Sequence, residues 1–167
     1  MNVYIVPEDQ RSWFLQSNFK DTLFDLSVFH IADNIYPGYT GGFWQYATVT
    51  IGDNDSAPAP FLFPSVEGNI KLVNPFTGVE CEVDAVLGGM IVTLYTLNWL
   101  IEQNPNNDNY QGLYYLLRDA VSERCSTTGR TDAWMKLVDW YCHGRRTAAL
   151  FYGFALINVI VGYLRVK

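Results

Sequence analysis

Residues 36–46 read Tyr36-Pro37-Gly38-Tyr39-Thr40-Gly41-Gly42-Phe43-Trp44-Gln45-Tyr46. This stretch is the exit of a helix, a turn rich in residues that permit positive φ, and the entry of a strand. Pro37 disfavours the α region at Tyr36 and so ends the helical pattern before it. Gly38, Gly41 and Gly42 let the chain turn and pass close to a neighbour. In the strand that follows, Phe43, Gln45, Ala47, Val49 and Ile51 share the face expected to meet a core. Trp44, Tyr46, Thr48 and Thr50 share an amphipathic one.

Toward the N-terminus, Val3 to Val6 is a short apolar run, and Pro7-Glu8-Asp9 opens a helix through Phe19, proline and acids being usual in a first turn. Asp21 or Thr22 can cap a second helix in which Leu23, Phe24, Leu26, Val28, Ile31 and Ile35 recur at helical spacing. His30 and Asp33 lie on it three residues apart. No Ser or Cys nucleophile follows in a recognisable turn, so the pair reads as structural rather than catalytic.

Toward the C-terminus, Asp53, Asn54 and Asp55 lack the glycine and terminal glutamate of a calcium loop at the right spacing and read as a solvated hairpin end. Residues 61–63, 70–73 and 79–83 are short strand candidates separated by Pro64, Gly68-Asn69 and Asn74-Pro75. Connections this short predict an antiparallel meander, because parallel pairing needs long crossovers. Asp84 is placed to cap an almost wholly apolar helix over residues 85–102, the central buried helix of the domain. Gly88 and Gly89 inside it each forfeit about 1 kcal/mol against alanine, which predicts that another backbone packs closely there. A third helix is predicted over 109–124 with Leu113, Leu116, Leu117, Ala120 and Val121 inward. After the loop at 126–129, a further helix carries a stripe of Trp134, Leu137, Val138 and Tyr141.

The expected fold class is therefore α+β: a short antiparallel meander sheet against several helices, with an apolar C-terminal helix in addition. At 167 residues the chain suits one domain over residues 1–143, followed by an extension over 144–167. Within the extension, residues 147–164 are uncharged and about long enough to span a bilayer, which takes about 17–25 residues. Asn158, two glycines and basic residues at both ends favour a helix packed on the domain or on a second copy. The alternative is a membrane segment, which would make the chain a membrane-associated accessory protein anchored by residues 147–164.

Charged residues make up only 17% of the chain against 49% hydrophobic, which predicts that a partner covers some of the surface. The net charge of −6 is unevenly spread, with Arg11, Lys20 and Lys71 the only basic residues before Arg118. This charge is too dilute to imitate DNA, which carries about one negative charge per 1.7 Å of duplex. Cys81, Cys125 and Cys142 are widely spaced and odd in number, as suits reduced thiols, and Glu8 and Asp9 stand where a signal peptide would be basic. The expected location is a bacterial cytoplasm. The sequence shows no phosphate-binding loop, HExxH, GxSxG, zinc quartet or basic aromatic platform. It points to no metal, cofactor, catalytic residue or sequence-specific nucleic-acid binding.

The order of parts resembles the antirestriction proteins of the ArdB/KlcA type carried by plasmids and phages. The parts are Trp13-Phe14-Leu15 to Phe19, then Tyr39-Thr40-Gly41-Gly42-Phe43-Trp44-Gln45-Tyr46, then Glu82-Val83-Asp84-Ala85 leading into Ile91-Val92-Thr93-Leu94, and then Tyr114-Tyr115-Leu116-Leu117-Arg118-Asp119. The similarity runs from about Val6 to Tyr141, and its most specific piece is Tyr-x-Gly-Gly-x-Trp-x-Tyr. The proline-rich loop over residues 52–60 and the segment after Cys142 depart from the pattern. The resemblance implies a compact α+β protein that protects incoming DNA from type I restriction enzymes without being a catalyst. Its partner would be a host restriction or other defence enzyme, met directly or indirectly. The expected contact residues are Tyr39, Trp44 and Tyr46, whose rings suit interface anchors, with Gly41 and Gly42 shaping the turn and Arg118 and Asp119 as charged candidates. Self-association is expected through residues 147–164.

Overall fold

The computed structural model describes residues 1–52 and 57–139. The Asp53-Asn54-Asp55 turn, Tyr141, Cys142 and the apolar segment 147–164 lie outside the described residues. In chain order the elements are β1 (Asn2–Ile5), a 3₁₀ turn (Glu8–Gln10), α1 (Arg11–Phe19), α2 (Phe24–Ile35), β2 (Trp44–Thr50), β3 (Ala59–Pro64), β4 (Asn69–Val73), β5 (Glu80–Asp84), α3 (Ala85–Gln103), α4 (Asp108–Thr127), and α5 (Thr131–Ala133), which runs into a π-helical turn (Trp134–Asp139). The class is α+β, as expected.

Asp84 is where strand becomes helix. Its Oδ1 accepts from the N–H groups of Val86 and Leu87 at 3.1 and 3.0 Å, meeting two of the four donors that a helix start leaves unpaired. The same oxygen takes the Arg124 guanidinium from α4 at 2.8 Å, so one carboxylate starts α3 and ties α4 to it. Residues from Ala85 to Leu97 are buried apart from Val86, as the apolar circumference predicts. Length and composition would also let α3 cross a membrane, but here its neighbours are the protein's own sheets and helices.

The close approach predicted at the paired glycines is present. A Cβ on Gly89 would lie 2.4 Å from the carbonyl oxygen of Leu62 and from Cα of Phe63, so α3 rests directly on the backbone of β3. A Cβ on Gly88 would lie 2.3 Å from the Ile70 side chain of β4. One turn on from Gly89, the Thr93 hydroxyl accepts from the Leu62 N–H at 3.1 Å and donates to the Leu62 carbonyl at 3.3 Å. Leu62 lies on the edge of β3 that faces away from β2, and Thr93 supplies the two bonds a further strand would have made.

This contact explains why the predicted meander divides. β1, β2 and β3 form one antiparallel sheet in that order, with Ile5 opposite Ala47 and Tyr46 opposite Leu62. β4 and β5 form a second, with Leu72 opposite Cys81. Because α3 occupies the outer edge of β3, β4 cannot add to it.

Two expectations about packing are corrected. Leu23 and Leu26 are exposed, and the inward stripe of α2 is Phe24, Val28, Ile31 and Ile35. Asp21 accepts from the Leu23 N–H at 2.9 Å, which holds Leu23 in a turn and delays the helix to Phe24. The faces of β2 are corrected as well. Trp44 and Tyr46, assigned to the amphipathic side, are buried beneath α1 and α2, while Phe43 is 52% exposed. Ala47 and Val49 on the other face are buried too, so the strand is covered on both sides.

The described chain ends on firm contacts. Tyr95 of α3 donates to the Leu137 carbonyl at 2.6 Å, and the fully buried Asn74 amide donates to the Lys136 carbonyl at 2.8 Å. These side chains take up carbonyls in the π-helical turn and dock it on the core.

Candidate functional site

The turn between α2 and β2 is built outward from Trp44. Its indole is 2% exposed, and its ring lies 5.8 Å from Phe29 of α2 and 5.9 Å from Tyr39 in an edge-to-face contact. Tyr39 in turn lies 6.0 Å from Tyr36. Tyr36 closes α2 through its N–H to the Ala32 carbonyl at 2.8 Å, and Tyr39 folds back through its N–H to the Tyr36 carbonyl at 2.9 Å. The rings therefore step from core to surface, with Trp44 buried and Tyr39 and Tyr36 half-buried.

Gly41 and Gly42 have φ of +83° and +131°, and a Cβ at either position would meet nothing within 4 Å. Glycine is required there by backbone conformation, with open space around the turn. The polar ends of the rings are unevenly satisfied. Burial pushes the Tyr39 phenol up, Asp33 adds to this, and the nearby Trp44 N–H opposes it. The Trp44 Nε1 is buried without a hydrogen bond of normal geometry. The Tyr46 hydroxyl donates to Asp25 at 2.8 Å, and burial followed by that carboxylate raises its pKa strongly.

Of the predicted contact residues, the structure brings Tyr39, Gly41, Gly42, Trp44 and Tyr46 into one region. Both Trp44 and Tyr46 are buried and pack their rings in the core. Tyr39 keeps an accessible face, and Phe43, assigned to the interior, is exposed as well. Alternation sets Phe43 on the face opposite Trp44, and at the residue just before β2 begins that face is uncovered, unlike at Ala47 and Val49 further along the strand. Arg118 and Asp119 are on α4, where they pair with each other at 2.7 Å, and Arg118 lies 5.1 Å from the Tyr115 ring centroid. This is a local helix-surface arrangement and is not built onto the turn. His30 is exposed on α2, with its ring 5.9 Å from Trp99.

Two thiols form a separate polar cluster. Burial pushes Cys125 up to about 11 and also raises Cys81, whose sulfur receives Arg130 at 3.5 Å and lies 3.7 Å from Asp132. Both are protonated near neutral pH and are poor nucleophiles. Among the described residues, no group of three His, Cys, Asp or Glu side chains is placed to hold a metal ion.

The sequence profile of the family described as "Antirestriction protein" matches residues 37–127, from the aromatic turn to the end of α4. The chain belongs to the antirestriction protein family. A solved structure of the KlcA and ArdB proteins is similar with a TM-score of 0.56 and 23% identity over 70% of this chain and 82% of that one. Those two proteins are described as having a novel fold and antirestriction activity against type I DNA restriction systems in vivo but not in vitro. At that identity the likeness speaks to the fold. No curated protein matches the chain. Within the matched segment, the turn brings the half-buried Tyr39 and the exposed Phe43 to the surface beside the buried Trp44.

Proposed function

We propose that the protein counteracts type I restriction without catalysis, by protein contact in the bacterial cytoplasm, and that residues 36–43 form part of the contact surface. The observation that carries this reading is the ring series at the turn. Tyr39 is held edge-on by a buried Trp44 and followed, after Thr40, by Gly41 and Gly42 in open space, so a partner would meet a positioned amphipathic ring with little ordering cost. The family match supports the antirestriction role, and the activity described for KlcA and ArdB supports type I systems as the target. Arg118 and Asp119 serve at most as charged rim contacts in this reading. Rim charges contribute about 0–1 kcal/mol.

Because the similar proteins are described as active in vivo but not in vitro, the test belongs in cells. Expression in a host with a type I restriction system should raise the plating of unmodified phage, with no change in a host lacking restriction. Tyr39→Ala should keep its melting temperature within a few degrees and lose most of that protection. Equal plating in both hosts with the protein present and folded sinks the reading. Full protection by Tyr39→Ala removes the turn from it.

A further inference from the structure

Arg11 opens α1, where a cation runs against the helix dipole. Its guanidinium is held in place. Cζ lies 4.4 Å from the Phe43 ring centroid and 5.1 Å from that of Tyr46, and Nη2 donates to the Gln45 side chain at 3.3 Å. Nε is buried beneath these groups without a bond. The other arginines of the described residues each hold a carboxylate: Arg118 pairs with Asp119, Arg124 with Asp84 and Arg130 with Asp132. Among the described residues, no carboxylate lies within ion-pairing distance of Arg11.

A guanidinium stacked between two rings loses little further freedom on binding, and its planar fork matches a carboxylate. The surroundings fit one side chain. The exposed Phe43 ring gives an apolar flank, and Gln45, whose amide reaches the Ser65 hydroxyl at 3.5 Å, gives a polar one. A DNA backbone is disfavoured, since Glu8 and Asp9 precede Arg11 and the chain carries a net −6. We propose that Arg11, clamped by Phe43 and Tyr46, is the docking point for an Asp or Glu side chain of the protein partner. This rests on the protein-contact reading above and gives that contact a chemistry.

The test has two arms. In the full-length protein, the Arg11 Nε–Hε resonance is followed by NMR during titration with N-acetyl-glutamyl-phenylalanine amide, its glutaminyl analogue and inorganic phosphate. A saturable shift with the glutamyl peptide alone is expected. An equal response to the glutaminyl peptide, a response to phosphate as strong, or no response overturns the site. In restricting cells, Arg11→Gln should lower protection by at least about tenfold with the melting temperature nearly unchanged, and Arg11→Lys should recover only part of it. Wild-type protection by Arg11→Gln overturns the proposal. If the wild-type chain itself gives no protection, the functional reading falls, and the titration judges the site alone.

Discussion

The chain uses the dipeptide Gly-Gly twice, for opposite reasons. At Gly88-Gly89 the backbone is ordinary helix and the constraint is space, since a Cβ on Gly89 would lie 2.2 Å from Cβ of Phe63. At Gly41-Gly42 space is open and the constraint is conformation, with φ of +83° and +131°. The first pair belongs to the core, where α3 takes the place of a strand along β3. The second belongs to the surface, where the chain turns to set Tyr39 and Phe43 outside and Trp44 inside. A glycine that marks packing and one that marks a surface turn look identical in sequence, and only what a side chain would meet tells them apart.

The comparison breaks most easily at Gly89. Its nearest obstacles are Cβ of Phe63 and, just beyond it, backbone atoms of β3, none of which can move aside without shifting the strand and its Thr93 bonds to Leu62. Gly89→Ala should cost about 3 kcal/mol or more, and lower the melting temperature by roughly 10 °C. Gly88→Ala meets the end of the Ile70 side chain, which can change rotamer, so its cost should be lower. Thermal melts of the two variants check the ranking. Equal small losses would show that α3 does not rest on β3 as described.

How far these features were legible in sequence follows the range of the interaction behind them. Asp84 announced α3 because a cap acts within three residues, and the two glycines announced close packing because they break an apolar helix for no local gain. β1 was not recognised as a strand, since four residues with little alternation say nothing of their pairing with β2. The division into two sheets was hidden as well, because it depends on Thr93 reaching Leu62, 31 residues away. The faces of β2 were misread for a third reason. Apolar side chains on both faces leave periodicity with no contrast to detect, so Trp44 looked amphipathic and Phe43 looked interior. Nothing local in the sequence singles out Arg11, because the rings that clamp it, Phe43 and Tyr46, lie more than thirty positions away.

At the surface pair the effects on stability should be smaller and those on function larger. An L-residue in the left-handed region costs about 1–2 kcal/mol, so Gly41→Ala and Gly42→Ala should each lower the melting temperature by only a few degrees. Reorienting the turn also moves Tyr39 and Phe43 relative to Arg11, so protection against restriction should fall by more than the loss of stability explains. Melting temperatures measured beside the plating assay separate the two. Variants whose protection tracks stability alone would make the turn a scaffold like the buried pair.

The smallest effect, and the control for both pairs, lies at Gly112. This glycine sits on the exposed side of α4 in helical conformation, and a Cβ there would meet nothing within 4 Å. Neither space nor φ demands it, so only the entropic disadvantage of glycine in a helix remains. Gly112→Ala should therefore raise stability by roughly 0.5–1 kcal/mol, a gain of a few degrees at most. Protection should not change if no partner contacts this part of α4. A melt that falls instead of rising would mean that Gly112 is held by a contact outside the described residues. A normal melt with lost protection would place a second contact surface on α4, within a few turns of Arg118 and Asp119.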